Sequence, residues 1–175
     1  MRRLLIVFPV LLFTSCNAVR VNYDYDKETD FSSFNTYNYY TELKTGLSEL
    51  DDKRLFKVLD IALQSKGLVF SEEPDILINI EGRSYETPQN SSVGVGVGGM
   101  GRNVGGGVSV GIPVGRPNLE RILQFDFVDA KKDMLFWQAI STSSLKEDLP
   151  PVLREQKLQE LVDKVLKKYP PKTKH

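Results

Sequence analysis

The stretch LERILQFDFVDAKKDMLFWQAIST, residues 119–142, decides the fold of this chain. Its first half places apolar side chains at alternate positions, at Leu123, Phe125 and Phe127, which is typical of a half-buried β-strand. The segment DAKKD that follows predicts a turn, and the residues from Met134 onward predict a second strand. We therefore expect a β-hairpin whose apolar face needs another layer to cover it.

Five further segments have the periodicity of strands or helices. The predicted strands cover residues 19–25, 35–40 and 75–81, and the predicted helices cover residues 48–66 and 151–169. Ser48 or Asp51 is the predicted cap at the start of the first helix, and Gly67 ends it. Each helix has one apolar face. These faces consist of Leu55, Val58, Leu59, Ala62 and Leu63 in the first helix and of Leu158, Leu161, Val162, Val165, Leu166 and Tyr169 in the second.

The order of these elements is ββαβ, then a glycine-rich insert, then ββα. This order predicts an α+β fold: a two-layer sandwich in which a mostly antiparallel sheet of about five strands has both helices on one face. A length of 175 residues fits a single domain with short terminal segments. We expect that domain to cover residues 19–170, followed by a polar tail over residues 171–175.

The N-terminal segment has the layout of a bacterial secretion signal. A basic start is followed at residues 4–13 by a run without polar side chains, which is too short to span a bilayer as a helix. The sequence Phe13-Thr14-Ser15-Cys16 resembles a lipobox, and Ser15 in particular resembles lipoproteins of Bacteroidetes-like bacteria. The resemblance implies cleavage before Cys16 and acylation of that residue, palmitate being a typical acyl chain.

We accordingly expect a signal peptide over residues 1–15 and a lipidated tether over residues 16–18. The acyl chains on Cys16 would anchor the domain at a membrane, with the outer membrane as the expected site. An early acidic run, which resembles the surface-export signal of Bacteroidetes lipoproteins, is absent after Cys16. This favours the periplasmic side over the cell surface. The alternatives are a secreted protein with a free Cys16 and a cytosolic protein whose N-terminus belongs to the core.

The composition excludes several classes of chemistry. The chain has one cysteine and one histidine, His175, so an internal disulfide, a cysteine-based zinc site and a Ser-His-Asp or Cys-His apparatus are excluded. The net charge is zero and no basic cluster is present, which argues against nucleic-acid binding. Loss of Arg2 and Arg3 with the signal peptide would change the charge to −2. We predict no catalytic residue, no cofactor and no metal site.

The glycine-rich insert, residues 88–117, is the most unusual part of the sequence. Ten of the 13 glycines lie between Gly94 and Gly115, and Arg102 and Arg116 are the only charged residues. A formal match to G-x-G-x-x-G is followed by more glycine and then by proline. Since no helix can begin there to receive a pyrophosphate, the insert is not predicted to bind a dinucleotide.

Valines alternate with small residues in two arms of the insert. Three interpretations remain open: a mobile loop, a hairpin that extends the sheet, and a surface that packs against a partner protein or against a second copy. The candidate partner surface consists of Val95, Val97, Val108 and Val110.

Two alternative functions depend on other residues. A carboxylate-based hydrolase acting on envelope glycans would need two acidic residues to converge in a cleft. The candidates are Asp24, Asp26, Glu73, Asp75 and Asp126. A carrier of a small molecule or lipid would need an internal cavity of some hundreds of Å³. A core filled by Phe125, Phe127, Phe136 and Trp137 would remove that cavity.

A series of weak motifs, taken in order, resembles the DUF4136 family of bacterial envelope lipoproteins. The motifs are Val-x-Val-x-Tyr-Asp at residues 19–24, DFSSF at 30–34 with Thr36-Tyr37, Lys66-Gly67-Leu68, PDILI at 74–78, DFVDAK at 126–131, Leu135-Phe136-Trp137 and Tyr169-Pro170-Pro171. The resemblance implies an outer-membrane-anchored or periplasmic α/β domain of unknown function, and it supplies no functional residues. We therefore expect a non-enzymatic cell-envelope lipoprotein that binds an envelope protein or supports assembly.

Overall fold

The computed structural model describes residues 19–87, 92–96, 109–113, 118–144 and 149–172. The strands are β1 Arg20–Tyr25, β2 Thr36–Tyr39, β3 Val69–Phe70, β4 Ile76–Thr87, β5 Ser92–Gly96, β6 Ser109–Pro113, β7 Asn118–Asp129 and β8 Met134–Ser143. The helices are α1 Glu49–Ser65 and α2 Pro151–Val165, and short 3-10 turns cover Phe31–Ser33 and Leu166–Lys168. This is the expected α+β class. Neither helix is of a length and apolarity that would let it traverse a bilayer.

Six of the strands form one mixed sheet in the order β1-β8-β7-β4-β2-β3. The hairpin expected at residues 119–142 is confirmed as the antiparallel pair β7–β8. β1 and β4 are also antiparallel to their neighbours, whereas β2 is parallel to both β4 and β3. The expectation of about five, mostly antiparallel strands is therefore correct only in part. β3 has two residues, too few to show a period, and α1 provides the crossover that its parallel pairing with β2 requires.

The ends of α1 are set by local hydrogen bonds. Ser48, rather than Asp51, is the N-cap, because its side chain accepts a hydrogen bond from the Asp51 N–H group. At the other end Gly67 has a φ of +90°, a conformation that favours glycine. The N–H groups of Gly67 and Leu68 donate to the carbonyl oxygens of Gln64 and Leu63 at 2.9 and 3.2 Å, which is a Schellman motif.

The core lies between the two helices and one face of the sheet. Every residue assigned to an apolar helix face is buried, and so are Leu123, Phe125 and Phe127. Phe136 and Trp137 are both buried although they are consecutive, because a bulge in β8 shifts the register opposite Phe127. The rings of Phe127 and Trp137 lie 4.7 Å apart, and Phe136 stacks on Phe34 at 4.4 Å. These rings occupy the space that a carrier would need between the sheet and the helices.

An ion-pair cluster joins the beginnings of the helices. Asp51 is fully buried, and its carboxylate contacts Arg54 of α1 and Arg154 of α2, each at 2.7 Å. Near the other ends of the helices the Lys66 ammonium group donates to the Tyr169 carbonyl oxygen at 2.7 Å. The two helices therefore run parallel and begin at the same end of the domain.

The segment between β2 and α1 crosses the sheet at Gly82 in β4. The Gly82 N–H group donates to the Lys44 carbonyl oxygen at 2.8 Å. A Cβ atom at Gly82 would lie 1.6 Å from the Thr45 carbonyl oxygen, so only glycine permits this close approach. The crossing fixes residues 40–45 beside the sheet, where they line the site described below.

The described part of the insert is a pair of antiparallel strands. β5 and β6 form a separate two-stranded sheet in which Val95 lies opposite Val110. Thr87 pairs with Asn118, and Ser92 pairs with Pro113. The connection from β4 to β5 and the connection from β6 to β7 therefore each span five residues. The β5–β6 pair therefore keeps the register of β4 and β7. This supports the hairpin interpretation of the insert, with the difference that the arm pairs with itself and adds no strand to the larger sheet.

Candidate functional site

The face of the sheet opposite α1 and α2, which we call the open face, carries a row of polar residues. Asp24 of β1 pairs with Gln138 of β8, which pairs with Asp126 of β7, which pairs with Asn79 of β4. These residues alternate with the buried positions of the same strands, because successive side chains of a strand point to opposite faces. The row therefore crosses four strands on the side that faces away from the core.

Asp126 is the centre of a hydrogen-bonded group within this row. The Gln138 side-chain amide donates to its Oδ1 atom at 2.7 Å. The Gln124 side-chain amide donates to Oδ2 at 2.9 Å and to Oδ1 at 3.1 Å. Hydrogen bonds to an ionised carboxylate are among the stronger ones. Asp126 therefore holds both glutamine side chains in fixed positions on rigid strands.

Two shallow depressions flank this group. The larger has a volume of about 490 Å³ and is lined by Tyr40, Thr41, Glu42, Lys44, Asn79, Glu81, Asp126, Val128 and Leu135. The smaller has a volume of about 280 Å³ and is lined by Asp24, Tyr25, Asp26, Leu135, Phe136, Trp137 and Gln138. Leu135 lines both and is half exposed. Five carboxylates but a single cationic side chain, that of Lys44, line the two depressions, so the local charge is negative.

Tyr40 provides a hydrogen-bond donor at the edge of the larger depression. Burial raises the pKa of its hydroxyl group, and the neighbouring Asp133 carboxylate raises it further. Its hydrogen bond to the Asp133 carboxylate orients this hydroxyl group. The backbone of Lys44 pairs with that of Glu81 in an isolated parallel β-bridge. This pairing places one positive charge among the acidic groups. The arrangement is suited to binding polar and cationic groups around an apolar contact.

The five carboxylates considered for hydrolysis are placed at different locations. Asp24 and Asp126 share the open face but have β8 between them, which separates their backbones by about 10 Å, or two strand spacings. Asp26 accepts hydrogen bonds from the Glu28 N–H group and the Thr29 hydroxyl group, at 3.0 and 3.1 Å, and so stabilises a turn.

Asp75 connects β2 to the start of β4. Its Oδ2 atom accepts hydrogen bonds from the N–H groups of Asn35 and Thr36, at 3.1 and 3.2 Å, and from the Thr36 hydroxyl group at 3.0 Å. These hydrogen bonds, that of Asn35 first, hold the pKa of Asp75 below its usual value although burial opposes them. Glu73 is exposed in the preceding turn. Within the described ranges, no three His, Cys, Asp or Glu side chains are grouped as a metal ion would require.

Several residues of the open face were not singled out from the sequence. They are Lys44, Asn79, Glu81, Gln124 and Gln138. Their signal is the polar half of the same alternation that identified the core, as in Gln124-Phe125-Asp126-Phe127. The alternation does not show which strands are neighbours in the sheet. It therefore cannot show which polar residues of different strands lie next to each other.

The residues predicted for lipidation and for partner binding lie mostly outside the described ranges. Cys16, Val97 and Val108 belong to this group. Val95 and Val110 are placed opposite each other in the β5–β6 ladder. The lipidation of Cys16 and the valine partner surface both stay predictions.

Comparisons with known proteins identify a family and a fold. The family model of DUF4136, a domain of unknown function, matches residues 21–171. A PDZ domain protein from Parabacteroides distasonis is 16% identical with a TM-score of 0.55, and the match covers 90% of this chain and 37% of that one. This chain thus spans 37% of that protein, and the likeness concerns the fold alone.

Two other solved structures are more distant. Two PelC dodecamers from Paraburkholderia phytofirmans are each 10% identical over 85% of this chain and 95% of theirs, with TM-scores of 0.46 and 0.49. No curated protein matches the chain.

Proposed function

The chain belongs to the DUF4136 family of domains of unknown function, and from this premise we propose that it is a non-enzymatic, lipid-anchored binding module of the cell envelope. Acyl chains on Cys16 would hold it at the outer membrane, on the periplasmic side. Its partner would be an envelope protein. The observation that supports this proposal is the open face, with its fixed polar row and its two acidic depressions.

The open face has the rigidity that selective binding needs. Its residues stand on strands whose opposite side is packed against two helices, and Asp126 fixes two of its side chains. A surface that is ordered before binding loses little conformational entropy when a partner arrives. The open face can thus recognise a partner without rearrangement.

The composition of the open face indicates what kind of partner it would take. Glu42, Glu81 and Asp126 line the larger depression, while Val128 and Leu135 provide its apolar part. Complementary charge favours rapid and selective association, and apolar anchors in pockets contribute much of the affinity. We propose that the partner contributes a basic segment with at least one apolar side chain that contacts Leu135.

The anchor is tested by removing its attachment point. The Cys16→Ala variant should move from the membrane fraction to the soluble fraction of the envelope, because Cys16 is the only cysteine of the chain. Retention of the variant in the membrane fraction would contradict the lipid anchor. Mass spectrometry of the wild-type N-terminus would show whether the acyl chains are present.

The binding face is tested by charge reversal with a matched control. Glu42→Lys combined with Glu81→Lys reverses two charges at the larger depression, and Glu72→Lys combined with Glu73→Lys reverses two charges away from it. Both variants change the net charge equally. A photo-crosslinking residue at position 135 of the full chain, expressed in its host, reports partner contact in each background.

We expect the crosslinked product to fall at least about tenfold in the first variant, corresponding to about 1.4 kcal/mol of lost charge complementarity. The product should be unchanged in the control. An equal loss in both variants, or a loss in neither, would contradict the assignment of binding to the open face.

A further inference from the structure

Three exposed apolar side chains lie where the two helices begin. Leu50 belongs to the first turn of α1, and Val152 and Leu153 belong to the first turn of α2, with 60, 67 and 44% of their surfaces exposed. Leu50 precedes Asp51 and Leu153 precedes Arg154, the residues that form the 2.7 Å ion pair between the helices. The ion pair therefore holds these three residues, which we call the proximal cluster, on two adjoining helix turns.

The proximal cluster lies at the end of the sheet where the domain begins. We call this the proximal end: here Arg20 pairs with Thr142, which pairs with Ile122, which pairs with Arg83. The segment leading into α1 crosses β4 at Gly82, one residue from this row, and α2 follows the end of β8. Both helices therefore begin at the proximal end and run away from it.

The ordered domain starts close to the predicted acylation site. Val19 is buried, and its carbonyl oxygen accepts a hydrogen bond from the Lys164 ammonium group at 3.2 Å. Three residue steps separate Cys16 from Val19, which allows a reach of about 10 Å even when fully extended. A lipid attached to Cys16 would thus draw the proximal end to within a short distance of the bilayer.

The β5–β6 arm follows β4 and precedes β7 in the sequence, and both of those strands have their arm-side ends at the proximal end. β4 runs towards the proximal end, β7 returns from it, and the arm keeps their register. Residues 92–96 and 109–113 of the arm contain no charged residue. The basic side chains on the row at this end, those of Arg20 and Arg83, are exposed and form ion pairs with Glu120 and Glu81 at 3.5 and 3.8 Å. Since these cations are paired with carboxylates, the exposed apolar side chains of the proximal cluster are what this end offers to a lipid interface.

We infer that the proximal end of the domain docks on the lipid surface that receives the acyl chains, with Leu50, Val152 and Leu153 entering the headgroup region. This inference rests on the proposed acylation of Cys16. A second folded protein, about 30 Å across, could not fit between the domain and the bilayer, because the tether is only about 10 Å long. In this orientation the open face is presented sideways to partners that approach along the membrane.

The docking is tested by labelling single cysteines that are introduced at the two ends of the domain. Acylation blocks the Cys16 thiol, so an introduced cysteine is the only one that can be labelled. Val152→Cys at the proximal end is matched by Val69→Cys in β3 at the opposite end, since the two valines are 67 and 61% exposed. A second pair, Leu50→Cys and Met134→Cys, with 60 and 55% exposure, provides an independent comparison.

Each acylated full chain is labelled with a polarity-sensitive fluorophore and placed in vesicles of phosphatidylethanolamine and phosphatidylglycerol that contain spin-labelled lipid. The labels at positions 152 and 50 should be quenched at least about twofold more than those at 69 and 134, because interfacial groups lie only about 5–10 Å into the headgroup region. Equal quenching within both pairs, on protein shown to be acylated and vesicle-bound, would overturn the inference alone. Protein whose Cys16 is found unmodified and that does not bind the vesicles would overturn the anchor and the docking together.

Discussion

The two faces of the sheet are built from the same strands but have opposite characters. On β7, Phe125 and Phe127 are completely buried against the helix layer, while Gln124, Asp126 and Val128 between and beside them are only partly buried. The first set contributes to stability through burial, whereas Gln124 and Asp126 of the second set present fixed polar groups. Neighbouring positions in the sequence should therefore respond to substitution in different ways, some through folding and others through binding.

The largest difference is expected for consecutive residues 127 and 128. Phe127→Ala removes a ring that lies 4.7 Å from Trp137 and 4.8 Å from Tyr169, and it should lower the free energy of unfolding by about 3–5 kcal/mol. Val128→Ala on the open face should cost about 1 kcal/mol, because this side chain is partly exposed in an open depression and its loss leaves no closed cavity. Denaturant unfolding of both variants measures the difference, and equal losses would contradict the division between the faces.

The helix layer provides a second contrast, between a buried and an exposed carboxylate. Asp51→Asn removes the charge that faces Arg54 and Arg154, leaving two arginines without their buried partner, and it should cost about 3 kcal/mol. Glu49→Gln breaks the exposed 2.7 Å pair with Lys53 and should cost about 0.3–0.5 kcal/mol. Thermal unfolding of the two variants compares them. A small loss for Asp51→Asn would mean that the ion pairs do not hold the helices together.

The elements of the covered face could be predicted from the sequence, because burial imposes a period that is visible in the chain. The apolar faces of both helices and the β7–β8 hairpin follow from that period alone. The pairing of β2 with β3 and β4 could not be predicted, since it depends on where α1 returns the chain. The requirement for glycine at position 82 was equally hidden, because it comes from the Thr45 carbonyl oxygen of a distant segment.

The open face was predictable only as a list of polar positions. Asp24 and Asp126 could be named, but not the fact that Gln138 stands between them. Polar residues on a half-buried strand follow the same alternation whether they bind a partner or only face water. Their grouping becomes visible once the order of the strands is known.

Asp126→Asn should separate the two roles within one side chain. The carboxylate accepts hydrogen bonds from two glutamine amides, and asparagine would place its own donor against them. We expect the free energy of unfolding to fall by about 1 kcal/mol, the usual value for a partly exposed hydrogen bond. Crosslinking through position 135 should fall much more, because the glutamine side chains lose their fixed positions. If crosslinking falls no more than the folded fraction does, Asp126 is a structural residue only.

The smallest expected effect concerns acid and Asp75, the carboxylate that connects β2 to the start of β4. The pKa of Asp75 is lowered in the folded state, chiefly by the Asn35 N–H group, so its contribution to stability is fully present above its unfolded pKa of about 3.9. That contribution is lost as the pH falls through the lowered, folded-state pKa. Asp75→Asn should therefore reduce the dependence of the unfolding midpoint on pH below about 4, since one proton-linked group is removed. Thr36→Val, which deletes the hydroxyl donor to Asp75, should change the slope in the same direction but less, because the backbone donors remain. An unchanged slope in Asp75→Asn would show that hydrogen bonds to this carboxylate add nothing to the backbone pairing of β2 with β4.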